Sequence, residues 1–227
     1  MTEAKVSRRY LLALSSFALA RGMSFGNIVE STGLSPADLL SPDGHIVSRP
    51  AVRLSRAVLA NLPGVPVPIE FARTLGAAVL GELMVEVLAA PTVGDAIELL
   101  CASTSFFGCG FDFRLERGLD TVHWTMSHPS DALEYGLGHE AGFADLISVF
   151  RSAATMNVNP LCVRFPFAAK GPKKAYEDHF DAPVWFEKRT ERAGVVFRKT
   201  DLDITFHTAD PIRFSQTLVA ARSGRGL

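Results

Sequence analysis

Residues 111–127 read FDFRLERGLDTVHWTMS. Phe111, Phe113 and Leu115 alternate with Asp112, Arg114 and Glu116. Gly118-Leu119-Asp120 then makes a turn, and Val122, Trp124 and Met126 alternate with Thr121, His123 and Thr125. Period-two alternation on both sides of a glycine turn predicts a β-hairpin with one buried face, which belongs to an antiparallel sheet. The sequence ahead of the hairpin repeats instead at helical spacing. The class is therefore α+β: N-terminal helices packed with an antiparallel or mixed sheet and flanking helices.

Upstream of the hairpin, Thr92-Val93-Gly94-Asp95 resembles a capping box, with Asp95 in the place of the usual glutamate. It opens a helix with Val93, Ala96, Ile97, Leu100, Cys101 and Thr104 on one face. Ile69 to Leu75 and Leu80 to Leu88 read as short helices, reached through the stiff connector Val65-Pro66-Val67-Pro68. Ser48-Arg49-Pro50 opens a helix carrying Val52, Leu54, Ala57, Val58 and Leu62. At the start, Ser7 caps a helix with Tyr10, Leu11, Leu14, Phe17 and Ala18 at helical spacing, closed by Gly22. Lys5, Arg8 and Arg9 ahead of it imitate a signal peptide, but the pattern runs on to Arg21-Gly22, so an amphipathic helix is the better reading. Gly26 to Thr32 and Ser35 to Leu40 form two short helices around Gly33. They imitate a helix-turn-helix. The second is too short and offers Asp38 without Arg or Lys, so it reads as a structural αα-corner.

Downstream, a long helix runs from about Leu137 to Met156, with Phe143, Ile147, Phe150 and Ala154 on one side, and Asn157-Val158-Asn159-Pro160 stops it. A strand (Leu161 to Phe167), a helix opened by Pro172 (Lys173 to Phe180) and two strands (Val184 to Glu187, Gly194 to Lys199) follow.

The 227 residues are 48% hydrophobic and 21% charged, which excludes wholesale disorder. The net charge of -1 marks no general nucleic-acid binder. The charge is uneven, however: residues 66–145 are strongly acidic, whereas 1–65 and 164–199 are basic. Solvated faces that differ in charge explain this, as would attraction between subunits or to a basic partner. Three cysteines, Cys101, Cys109 and Cys162, form no CxxC pair and imply neither a disulfide framework nor a zinc knuckle. Reduced thiols fit a cytoplasmic setting. No stretch has the length of a membrane span.

Motifs of chemistry are missing. There is no GxSxG elbow, P-loop or HExxH. His139-Glu140-Ala141-Gly142-Phe143 begins like the last but lacks the second histidine. Gly108-Cys109-Gly110 and Gly136-Leu137-Gly138 are fragments of a nucleotide fingerprint without its strand–loop–helix context. No cofactor, no metal site and no catalytic residue is implied, so the chain is not expected to be an enzyme.

The order of motifs resembles the N-terminal effector-sensing region of AraC-type transcriptional regulators, in the arabinose-binding-like subgroup rather than the cupin type. Tyr10-Leu11-x-x-Leu14 with Arg21-Gly22 and Gly33-Leu34-Ser35 matches the opening helices. The block from Leu83 through Ala89-Ala90-Pro91-Thr92-Val93-x-Asp95-Ala96-Ile97 to Leu100 is the most recognisable. Val163-x-Phe165-x-Phe167, then Tyr176-x-x-x-Phe180-x-Ala182-Pro183-Val184-x-Phe186, is similar to the closing strand–helix–strand. Leu202-Asp203 and Ala209-Asp210-Pro211 match the lead into the linker. Phe167 departs from the family, which often has histidine there, and so does Gly76-Ala77-Ala78.

The resemblance implies a cytoplasmic domain over residues 1–210, with an N-terminal helical subregion over 1–65, that senses a small-molecule effector and is able to form a homodimer. Residues 211–227 would begin the linker, and DNA would be read only by a C-terminal domain beyond it. Such a chain is either a sensor piece or a naturally short regulator. The alternative is a ligand-free interaction or dimerisation module. The candidate ligand-binding residues lie between the apolar face of the hairpin and the long helix: Phe111, Phe113, Trp124, Met126, His139, Phe143 and Arg151. His139 and Arg151 are the polar anchors, Arg151 for a carboxylate or phosphate. The competing reading makes the same aromatics plain core.

Overall fold

The computed structural model describes residues 5–104, 112–127, 137–187 and 192–223. Ser7 accepts a hydrogen bond from the Arg9 N–H at 3.2 Å and caps α1 (Arg8–Ala20). Ser24 caps α2 (Phe25–Thr32) and Ser35 caps α3 (Pro36–Leu40), with the left-handed Gly33 (φ +70°) between them. This is the αα-corner the sequence predicts. A short antiparallel pair, β1 (Lys5–Ser7) with β2 (His45–Val47), ties the chain start to the segment ahead of α4 (Arg49–Asn61). Three-residue strands carry too little alternation to be read from sequence.

The two short helices expected at 69–75 and 80–88 divide differently. α5 runs Val67–Leu80 without a break, and α6 is Glu82–Leu88. The break falls at Gly81, whose φ of +52° favours glycine, and a Cβ there would lie 1.9 Å from the Arg9 guanidinium. Thr92 caps α7 (Val93–Ala102), accepting from the Asp95 N–H at 3.1 Å.

The hairpin is β3 (Asp112–Arg117) and β4 (Thr121–Ser127), with Phe113 opposite Met126 and Leu115 opposite Trp124. β5 (Cys162–Phe165), β6 (Val184–Phe186) and β7 (Ala193–Arg198) complete a sheet of order β3-β4-β7-β5-β6. β5 and β6 are parallel and every other pairing is antiparallel, so the sheet is mixed. The parallel pair needs a crossover, which α9 (Lys173–Phe180) supplies.

The long helix, α8 (Gly138–Ala153), buries His139, Glu140, Ala141, Phe143, Asp145, Ile147 and Phe150, residues pointing around most of its circumference. A helix buried on several sides lies within the core. Trp124 of the sheet meets it through Phe143, and α5 packs on it as well. The segment read as the start of a linker forms α10 (Pro211–Arg222), capped by Asp210 and docked on α6 and α7.

Candidate effector site

The apolar candidates do come together. Trp124 and Phe143 meet edge-on with ring centroids 4.9 Å apart, Phe113 stacks on Trp124 at 6.4 Å, and Phe150 joins at 6.0 Å. Met126 is buried on the strand that carries Trp124. Phe111 lies outside the described residues. These rings pack as a filled wall between sheet and α8. The Cys101 thiol lies beside the Trp124 indole, and burial pushes its pKa up to about 12, which disfavours the thiolate.

The polar anchors do not come together. His139 and Arg151 stand 12 positions apart on α8, about 18 Å along the axis. Arg151 is occupied by the chain itself: Nε donates to Val158 O at 3.1 Å, Nη1 to His179 O at 2.5 Å, and Nη2 to Phe180 O at 2.6 Å and Asn159 Oδ1 at 3.1 Å. Its fork satisfies the carbonyls at the end of α9 and braces that helix against α8.

His139 sits at the opposite end, in a group the sequence reading missed. Its ring meets Phe167 edge-on at 6.1 Å. Beside it, Glu140 has a side chain with no exposed surface. Its Oε1 accepts from the Tyr176 hydroxyl at 2.8 Å and its Oε2 pairs with the Lys170 ammonium. That ammonium lies 3.7 Å from the centroid of the Phe167 ring. Burial raises the Glu140 carboxyl above its usual range, and the charge of Lys170 opposes the rise. Burial likewise lowers the Lys170 ammonium, with Glu140 opposing. The phenol of Tyr176 is pushed up by burial and then by the Glu140 charge. Tyr10 of α1 is raised by burial too, and the Glu140 charge adds to it, which places α1 within the field of the same carboxylate.

This group stands where the N-terminal helices meet the α/β part. Lys170 belongs to the irregular segment between β5 and α9, and the next residue, Gly171, is pressed on the connector to α5. A Cβ on Gly171 would lie 2.6 Å from Pro66 Cα. An ion pair buried this deeply is weak evidence for stability, since apolar residues of the same volume often serve as well. Perturbed titratable groups gathered at one place are instead a mark of functional sites. Two solvent-open grooves lie elsewhere, one of about 450 Å³ along α1 and one of about 610 Å³ beside the hairpin turn, and neither includes a candidate residue. Among the described residues, no group of His, Cys, Asp and Glu could hold a metal, and no helix is long and apolar enough to cross a membrane.

The sequence that builds the helical N-terminal part and the mixed sheet matches a known family model. The model described as the arabinose-binding domain of AraC transcription regulators, N-terminal, matches residues 22–206. The chain belongs to this family. Its members are ligand-binding domains of regulators, not enzymes. No curated protein matches the sequence. Among solved structures, the transcriptional regulator CdpR from Pseudomonas aeruginosa is similar, with a TM-score of 0.61 and 17% identity. The likeness covers 88% of this chain and 62% of that one, so this AraC-family domain spans less than two thirds of the relative's length. At such identity the likeness is one of fold.

Proposed function

We propose that this AraC-family domain senses a cytoplasmic small-molecule effector at the Glu140 end of α8, with the Trp124–Phe143–Phe113 wall and Met126 as the apolar side. The reading keeps His139 from the sequence candidates and moves the charged anchor from Arg151 to Glu140 and Lys170. The observation that carries it is the fully buried Glu140 carboxylate, paired to Lys170 and Tyr176 where the helical and α/β parts meet. Effector binding there would favour one packing of the two parts over the other, and an effector shifts an equilibrium only by that difference in affinity. DNA reading and the homodimer belong to the proposal for the whole regulator, in which base readout falls to a further domain.

Native mass spectrometry of the chain purified from its host tests this reading. A retained metabolite, lost in Glu140→Gln and kept in Arg151→Leu, is the expected result. A metabolite held equally by the Glu140 variant, or no binder across a broad metabolite panel, overturns it. The same spectrum reports monomer or dimer.

A further inference from the structure

The surroundings of Lys170 are those of a ligand. A carboxylate takes one N–H of the ammonium, an aromatic face lies 3.7 Å from the nitrogen, and a tyrosine hydroxyl orients the carboxylate from its far side. Carboxylate plus ring face is the chemistry by which alkylammonium groups are recognised. Glu140 lies at the closed end, while Lys170 is still 6% exposed and enters from the solvent side on a segment without regular structure. Buried pairs of this kind suffer when one partner is removed, because a charge is left alone. A second cation in place of the first keeps the carboxylate paired. Exchange is therefore open to a ligand that brings its own ammonium, and Lys170 has a four-carbon stem on which to swing into water.

We propose that the Glu140–Phe167–Tyr176 box is a primary-ammonium site which the chain's own Lys170 fills as a tethered stand-in, and that the effector is an alkylammonium metabolite that displaces it. This rests on the effector reading above and assigns its chemical class. The charge in the box decides the class. An anionic group meets Glu140 as a like charge, and a neutral one leaves the carboxylate unpaired. A cationic amine restores the pairing. The tether also sets the threshold. A linked competitor acts at an effective concentration on the order of millimolar, so the apparent affinity of a free amine falls by the fraction of time that Lys170 is out of the box. Departure of Lys170 moves the residue joined to Gly171, which touches Pro66 ahead of α5, so the exchange is felt where the two parts of the domain join.

The experiment is chemical rescue on the 227-residue chain. Lys170→Ala lowers the melting temperature. n-Propylammonium chloride, which supplies the three carbons and the ammonium that alanine lacks, restores it in a saturable way, whereas propanol and sodium propionate do not. Glu140→Gln/Lys170→Ala gains nothing from any of them. Wild type reaches the same saturation only at higher propylammonium, because Lys170 competes for the box. In wild type, the Lys170 Cε methylene resonance, shifted upfield by the Phe167 ring, moves to the free-lysine position as propylammonium is added. This second readout does not depend on the folding of any variant. Absence of amine-specific rescue in Lys170→Ala, or an unmoved Lys170 resonance at saturating amine, overturns the proposal. Retention from the host of a metabolite without an amino group overturns the class while leaving the sensor reading in place.

Discussion

Helix α10 is the element whose docking is easiest to perturb. It has 12 residues, and an isolated helix of that length is marginal in water. Its buried residue is Phe214, at 6% exposure. Its polar hold is Glu86 on α6, which accepts from Arg213 Nε at 3.0 and 3.1 Å, from Arg213 Nη2 at 2.6 Å and from the Thr217 hydroxyl at 2.7 Å. Arg222 reaches Glu98 of α7 at 3.3 Å. Burying a phenylalanine is worth about 1.5–3 kcal/mol. Arg213 is exposed, so solvent screens its ion pair and the less exposed contacts of Glu86 and Phe214 decide the hold. The Thr217 hydrogen bond to a charged group adds about 1.5 kcal/mol. Glu86→Gln should therefore loosen α10 by about 1–2 kcal/mol, about tenfold in hydrogen-exchange protection. Phe214→Ala, at about 3 kcal/mol, should reduce protection to that of a frayed helix. Exchange mass spectrometry on the peptide covering 211–222 is the assay, with the α8 peptide as internal control. The hydrogen bonds from Arg213 hold the Glu86 carboxyl below its ordinary range. The clasp is thus complete above the ordinary value of about 4.3 and weakens as the pH falls through the lower folded value. Unchanged protection of α10 in Glu86→Gln, or equal loss across α8, would refute independent docking.

Three further outcomes are expected. Glu140→Leu and Lys170→Met should each destabilise by about 3–5 kcal/mol, while the double replacement recovers most of the loss, as urea melts of the four proteins will report. Arg151→Leu should cost about 2–3 kcal/mol through the carbonyls left unpaired at the end of α9, and Lys in its place should not restore the planar fork; neither change should alter effector affinity at Glu140. His179, whose ring bonds Ala144 O at 2.9 Å, is lowered by burial and then by the charge of Arg151. Its contribution is full above the ordinary pKa of about 6.5 and is lost as the pH falls through that value toward the lower folded one. His179→Gln should flatten the melting temperature across that window.

Elements with local causes were legible. Ser7, Ser35 and Thr92 each accept a backbone N–H at a helix start, as such residues do wherever a helix begins. The hairpin register followed from alternation and one glycine turn. The break at Gly81 was not legible, since it depends on Arg9, remote in sequence, lying over that glycine. Helix α10 was hidden for a related reason. Its apolar residues include the exposed Ile212 and Val219, and the pattern carries little amphipathic signal, so docking by Phe214 and Glu86 decides that it is ordered.

The candidate site divides along the same line. The aromatic wall was readable because periodicity places Phe113, Trp124, Met126 and Phe143 on inward faces, and periodicity concerns near neighbours. The polar box was not. Glu140 and Lys170 are 30 residues apart, and Tyr176 is 36 from Glu140. In sequence, Glu140 is one of many carboxylates and Lys170 precedes a Gly-Pro turn, which normally means solvent. Burial of both is a consequence of topology. The β5–α9–β6 crossover lays its opening segment across the first turn of α8, α5 packs on the helix, and Tyr10 of α1 lies beside Gly138. A charge enclosed this way has to be matched by whatever occupies the box. That requirement makes Lys170 and a free amine interchangeable there, and it makes a neutral or anionic occupant costly. Selectivity among cations then depends on the length of chain that the space vacated by Lys170 accepts. A series of n-alkylammonium ions on Lys170→Ala measures this directly: affinity should peak at the three-carbon chain that replaces what alanine lacks, and a flat series would show that the wall of the box contributes nothing to recognition.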